Sequence, residues 1–264
     1  MAAVGPNGRN QAQASSDPVH VRVVDLVKSY AGTPILKGVT FDLFRGVTNV
    51  IIGASGSGKT VFLRQLIRLE RPDSGRIEVD GVDIVPLGEL ELAPFRRKFG
   101  MVFQMSALFD SMNVFDNVAF PLREHTKLSR KDIQTKVEES LSALGIAHAI
   151  YKQPSEISGG MKKRVAVARA LVMEPEILIY DEPTTGLDPI TSRTVDELIE
   201  TTRERFGITS VVISHDMESV FSIGHRVTLL YKGRMEVSVS RDELIHSDNV
   251  HVKEFLEASG VRMP

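Results

Sequence analysis

The chain has 264 residues, 32 Lys and Arg against 34 Asp and Glu, a formal net charge of -2, and 42% hydrophobic residues. That length supports one domain with a sizeable core, and the near-neutral balance offers no basic face for a nucleic-acid backbone, so no nucleic-acid partner is expected. The absence of cysteine excludes disulfides, cysteine-ligated metals and thiol nucleophiles.

Residues 1–18 hold Gly, Pro, Asn, Gln and Ser without an apolar period and predict a disordered tail. From Val19 to Val23 apolar and polar residues alternate as in a half-buried strand, and residues 39–44 form a second strand-like run. Residues 47–52 are mostly apolar, the pattern of a strand covered on both faces of a parallel sheet. A helix is predicted over 59–68 and a short strand over 76–79, which joins the first two runs in a small antiparallel sheet. Residues 105–172 contain helical patterns at 130–144 and 161–172 but no good strand, and predict a helical subdomain. Buried strands follow at 177–180, 210–214 and 227–231, with a helix over 190–204 between the first two. This alternation predicts an α/β, doubly wound core within one domain over 19–264. Residues 234–264 read as a short C-terminal extension, where 249–258 form a helix docked on its own core or on a partner protomer. No run approaches the ~18 apolar residues of a bilayer span. With no secretory-type start either, a cytoplasmic chain is expected.

Gly53, Ala54, Ser55, Gly56, Ser57, Gly58, Lys59 and Thr60 match GxxxxGK[ST] between a buried strand and a helix. Such glycines let several backbone N–H groups point at one anion, and the helix adds its positive end. Lys59 is then placed for the β- and γ-phosphates and Thr60 for Mg2+. The strand at 177–180 runs into Asp181 and Glu182, and two acids at such a strand end suit a cationic site. Asp181 would hold the Mg2+ shell and Glu182 would act as general base on the attacking water. His215 follows the buried run 211–214 at a strand's carboxyl end, where it either contacts the γ-phosphate or serves the structure. Gln104 follows Met101, Val102 and Phe103 and either meets Mg2+ and the attacking water or ends a strand. Ser158, Gly159 and Gly160 open a helix whose first turn carries Lys162, Lys163 and Arg164, cations that oppose the macrodipole; the segment is either a helix end at which an anion docks or an ordinary Ser N-cap with a solvated basic face.

In this order the motifs resemble the nucleotide-binding subunit of an ABC transporter. Tyr30 stands where that family stacks an aromatic on adenine. Gly53 to Thr60 resembles Walker A, Gln104 the Q-loop, Ile157 to Met161 the signature, and Ile177 to Glu182 Walker B. Gly186, Leu187 and Asp188 resemble the D-loop, and His215 the switch histidine. The resemblance implies a P-loop ABC ATPase fold: a RecA-like parallel-sheet core, a small antiparallel β subdomain and a helical signature subdomain. It also implies a head-to-tail homodimer. Two ATP molecules with Mg2+ would each lie between one protomer's Walker A and the partner's Ser158, Gly159 and Gly160, the arriving anion accounting for the nearby cations.

The common signature is LSGGQ; here Ile157 replaces Leu and Met161 replaces Gln. ISGGM followed by basic residues is similar to the ATPases of Mla/Mce-type lipid transporters, and the stretch from Met105 to His125 resembles the same subfamily. That stretch places Met, Leu, Phe and Val in a loop-rich region, an adaptable surface for a permease helix. The implied function is ATP-driven phospholipid transport through a separate membrane permease, with an Mce-domain lipid-binding protein as a further partner. The chain would then sit on the cytoplasmic face of the inner membrane. The alternatives are the same engine serving another solute and a soluble non-transport ABC ATPase.

Overall fold

The computed structural model describes residues 18–261, so the predicted tail lies, apart from Pro18, outside the described residues. Strands β1 (Val19–Tyr30) and β2 (Thr33–Phe44) are twelve residues each, longer than the alternating runs that predicted them. Ala31 (φ 46°) and Gly32 (φ 81°) turn between them with the positive φ values that a tight hairpin requires. Next come β3 (Thr48–Ile52), α1 (Lys59–Leu66), β4 (Ser74–Val79), β5 (Val82–Asp83), α2 (Glu89–Arg97) and β6 (Phe99–Val102). Helices α3 (Val114–His125), α4 (Arg130–Ala143) and α5 (Gly159–Leu171) precede β7 (Ile177–Asp181), α6 (Pro189–Phe206) and β8 (Thr209–Ile213). The chain continues through α7 (Met217–Ile223), β9 (Arg226–Tyr231), β10 (Arg234–Ser240), α8 (Arg241–Leu244) and α9 (Val250–Ala258).

These elements form an α/β protein with two sheets. The antiparallel sheet has the order β2-β1-β4-β5, and the six-stranded sheet the order β10-β9-β3-β8-β7-β6. In the second sheet β9, β3, β8, β7 and β6 run parallel and β10 is an antiparallel edge. Its faces separate by the strand period of two. Val50, Ile52, Leu178, Tyr180 and Val212 pack with the helical side, whereas Ile51, Ile177, Ile179, Val211 and Ile213 pack with α1 and the antiparallel sheet. Burial on both faces explains why these strands read as continuous apolar runs. On the second face Phe62 of α1 meets Phe41 of β2 edge-on, with ring centroids 5.6 Å apart.

Two elements depart from the sequence expectation, and a third takes one of its two expected positions. Helix α3 occupies part of the stretch expected to be loop-rich and carries Pro121, yet Asn113 caps it by accepting from the Asp116 N–H at 2.8 Å. Buried Asn117 then fastens the preceding loop, exchanging hydrogen bonds with both backbone groups of Phe109 and donating to the Met112 and Asn113 carbonyls. Strand β10 begins the piece expected to be a C-terminal extension and belongs instead to the main sheet. Helix α9 docks on its own chain. Val252 and Leu256 join the core, and the His251 ring stacks on Tyr231 at 4.0 Å.

Asp196 on α6 is only 4% exposed, and its Oδ1 has no hydrogen-bond partner among the described residues. Burial, with Asp216 and Glu200 adding repulsion against the help of the Ser219 hydroxyl, pushes its carboxyl from 3.8 up to about 6. The folded state therefore holds this proton more tightly than the unfolded state. Stability from this group is full below the unfolded value, falls as pH rises towards the folded value, and stays lower above it. Two pK units correspond to about 3 kcal/mol as an upper bound. Asp196→Asn is expected to melt higher than wild type at pH 7.5, with the gap closing towards pH 4. Thermal melts across that range check it, and a gap independent of pH would remove the assignment.

Candidate functional site

At its first residue the loop between β3 and α1 leaves no room for a side chain. A Cβ on Gly53 (φ 155°) would lie 2.4 Å from the Leu230 carbonyl oxygen and 2.8 Å from Ser57 Oγ. Gly58 (φ 108°) stands at the N-cap of α1 and offers no side chain to the first helical N–H groups, which leaves them for an external anion. Ser57 Oγ is buried without a hydrogen-bond partner among the described residues. The Lys59 ammonium donates to the carbonyls of Gly53 at 2.6 Å and Ala54 at 3.1 Å, inside the loop. Burial holds its pKa down, while Glu182 and Asp181 pull it up.

Strand β7 delivers the two acids against this loop. Glu182 Oε1 lies 3.9 Å from Lys59 Nζ. Burial first and Glu182 second push the Asp181 carboxyl up, against the pull of Lys59. Glu182 has φ 50°, a left-handed conformation that costs a non-glycine residue about 1–3 kcal/mol. Its N–H donates to the Ile213 carbonyl at 2.9 Å, fixing the bend to β8. Glu182 Oε2 accepts from Thr185 Oγ1 at 3.0 Å and pairs with His215 Nδ1 at 2.7 Å. His215 thus holds the side chain of Glu182, whichever role it has towards phosphate.

One cavity of about 1250 Å³ takes in Lys59, Thr60, Asp181, Glu182 and His215 together with Ala54, Ser55, Gly56 and Gly58. Its far wall comes from α9 and the residues after it, including Phe255, Ser259 and Val261. Sequence reasoning missed that wall, as it missed Ile35 and Thr185, because an ordinary amphipathic helix and single loop residues carry no chemical signature. The remaining predicted residues are not among those lining the cavity. Tyr30 is 40% exposed and its hydroxyl donates to Glu70. Gln104 is exposed just beyond β6. Ser158 caps α5 by accepting from the Met161 N–H at 3.3 Å, with Gly159 and Gly160 beside it in open space. Asp188 caps α6, accepting from the Ile190 and Thr191 N–H groups at 3.0 and 3.1 Å.

The cations of α5 correct the expectation that they await an anion. Lys163 donates to the carbonyls of Gln104 and Pro183, and Arg164 to that of Leu144. Partners within the chain therefore account for two of the three.

The donor set fits a nucleotide triphosphate and Mg2+. Glycine amides with an ammonium suit phosphate oxygens. The Thr60 hydroxyl and the Asp181 carboxylate, lining the same cavity, are hard oxygen donors of the kind Mg2+ takes. A half-buried pair of acids with Lys59 as the nearby cation also leaves negative charge for a metal to offset.

Comparison with known proteins gives the same picture. A family model described as ABC transporter matches residues 36–185. The probable ribonucleotide transport ATP-binding protein mkl of Mycobacterium leprae is 40% identical over 256 residues, 97% of this chain and 72% of that one. The intermembrane phospholipid transport system ATP-binding protein MlaF of Escherichia coli is 39% identical over 223 residues, 84% of this chain and 83% of that one. The ATP-binding cassette MJ0796, solved as a dimer in a post-hydrolysis state with ADP and Pi, superposes with a TM-score of 0.73 at 30% identity, covering 83% of this chain and 98% of that one.

Proposed function

The chain belongs to the ABC transporter ATP-binding family and is an ATPase that uses Mg2+, and on that premise we propose that it powers phospholipid movement through a separate membrane permease. The observation that carries the lipid reading is Met161, which ends an ISGGM signature ahead of basic residues. Support comes from the MlaF relative and from the docking surface. Phe103, Met105 and Phe109 are 43%, 86% and 42% exposed on the loop between β6 and α3. A Met- and Phe-bearing surface of this kind adapts to a partner helix. Among the described residues no helix is long and apolar enough to cross a membrane. In this reading the permease supplies the membrane contact, on the cytoplasmic face of the inner membrane, and an Mce-domain protein supplies lipid.

The residues divide the work as follows. Lys59 leaves the Gly53 and Ala54 carbonyls for phosphate oxygens, a stronger, charge-assisted partner. Glu182 accepts the proton of the attacking water, aimed by Thr185 and by His215, which also reaches the γ-phosphate. Thr60, Asp181 and Gln104 would hold Mg2+, which when bound neutralises the phosphate charge. Tyr30 meets the adenine, and Ser158, Gly159 and Gly160 of a second copy, with its Asp188 nearby, close over the γ-phosphate in a head-to-tail homodimer. ATP then closes the dimer and loss of the γ-phosphate reopens it.

Purification of the tagged chain from detergent-solubilised native membranes, with mass spectrometry of proteins and lipids, tests this. A polytopic permease with an Mce-domain protein and phospholipid is the expected result. The mkl relative favours one second reading, the same engine on a ribonucleotide-type solute; a permease with a different solute-binding partner and no lipid would establish it. The docking surface has its own test. Met105→Asp is expected to lose the co-purifying permease while keeping ATP hydrolysis, and a variant that retains the permease would remove Met105 from the interface.

A further inference from the structure

Helix α5 reaches the Gln104 loop with two long cations. Lys163 donates to the carbonyl of Gln104 and, at 3.0 Å, to that of Pro183. Arg169 donates from Nη1 to the Ala107 carbonyl at 2.7 Å and from Nη2 to the Ser106 carbonyl at 2.9 Å. Burial lowers the pKa of both cations, and neither has an acidic partner among the described residues. Half-buried cations without an acid lose solvation that only these carbonyl dipoles replace.

The loop they grip does not favour its own shape. Ser106 (φ 62°) and Ala107 (φ 47°) are both left-handed, which costs about 1–3 kcal/mol each for non-glycine residues. The strain persists because Arg169 binds the carbonyls of those same two residues. On one side of the gripped loop is Gln104, and within it is Met105, 86% exposed. The other carbonyl held by Lys163 belongs to Pro183, which directly follows Glu182.

We propose that Lys163 and Arg169 form a clamp that binds the 104–107 loop to α5, and that Lys163 additionally ties this loop to the bend that carries Glu182. A push on the exposed Met105 surface then moves Gln104, α5 and the Glu182 bend together. Neither cation lines the cavity that holds Lys59 and Glu182, so both are positioning residues. The inference rests on the reading of Gln104 as a group that meets Mg2+ and the attacking water.

The test uses the purified full chain and measures ATP hydrolysis against free Mg2+ at saturating ATP, and against ATP at saturating Mg2+. Lys163→Met keeps the length and removes the donors. It is expected to lower kcat roughly ten- to a hundredfold, as small misplacements of catalytic groups do, and to raise the Mg2+ requirement. KM for ATP stays within about twofold, because Lys59 is untouched. Lys163→Arg keeps the donors and is expected to recover most of the rate. In the Gln104→Ala background, Lys163→Met is expected to add nothing further to the Mg2+ requirement, since the two act as one unit. Wild-type kcat and Mg2+ response in Lys163→Met, or a rise in Mg2+ requirement that adds fully to that of Gln104→Ala, overturns the clamp. A Gln104→Ala variant with an unchanged Mg2+ response overturns the reading of Gln104 instead; the clamp is then decided by the kcat of Lys163→Met against Lys163→Arg. If Lys163→Met fails to fold, Lys163→Gln takes its place in every comparison.

Discussion

Glu182→Gln is expected to hydrolyse ATP about a hundred- to ten-thousandfold more slowly than wild type, the contribution of a positioned general base. It should still bind Mg-ATP and accumulate as an ATP-bound dimer. The amide matches the carboxylate in size, and its oxygen continues to accept from Thr185 Oγ1 or the His215 ring, which hold Glu182 at 3.0 and 2.7 Å. It has no useful basicity, so the water keeps its proton. Binding survives for an electrostatic reason. Glu182 is one cause of the raised Asp181 pKa, and removing its charge leaves Asp181 more fully ionised as a metal ligand. It also removes repulsion towards the γ-phosphate. Single-turnover hydrolysis and size-exclusion chromatography with Mg-ATP measure the two halves. Wild-type turnover would show that another group takes the proton.

What the chain discloses before folding depends on how local the cause is. The 53–60 loop was legible because its glycines, Lys59 and Thr60 stand within eight consecutive residues at a spacing that itself specifies a phosphate cradle. Asp181 and Glu182 were legible because a buried strand ending in two acids is chemically odd. The main-sheet strands were legible because burial on both faces leaves an unbroken apolar run. Elements fixed by distant contacts were not. Helix α3 survives Pro121 because Asn113 caps it and its core face is buried. Strand β10 is half-buried at a sheet edge and lacks the apolar run of its neighbours. The cations of α5 misled for the same reason: their partners, the carbonyls of Gln104, Pro183 and Leu144, are 20 to 59 residues away.

Two inactive variants are expected to restore activity when mixed, and this separates a shared site from a self-contained one. Lys59→Met removes the ammonium proposed to bind phosphate, and Ser158→Arg blocks the exposed start of α5. Ser158 is not among the residues that line the cavity holding Lys59, and a Cβ at Gly159 or Gly160 would meet nothing within 4 Å. Within one protomer the two features therefore do not meet, and in the proposed head-to-tail dimer the partner brings its own α5 to the phosphate loop. In a head-to-tail dimer each homodimer of either variant has two broken sites. A mixed dimer has one site with both defects and one intact, so an equal mixture allowed to exchange recovers about a quarter of wild-type turnover per chain. The double variant mixed with wild type gives the converse. Every mixed dimer then has two broken sites, and turnover of an equal mixture falls to about a quarter rather than the half expected of self-contained sites. Ser158→Arg also removes an N-cap, worth about 1 kcal/mol, so melting temperatures must first show that both variants are folded. A mixture of single variants that stays inactive, beside a double variant that leaves half the turnover, would place each ATP site within one chain. The requirement for a second copy would then be gone.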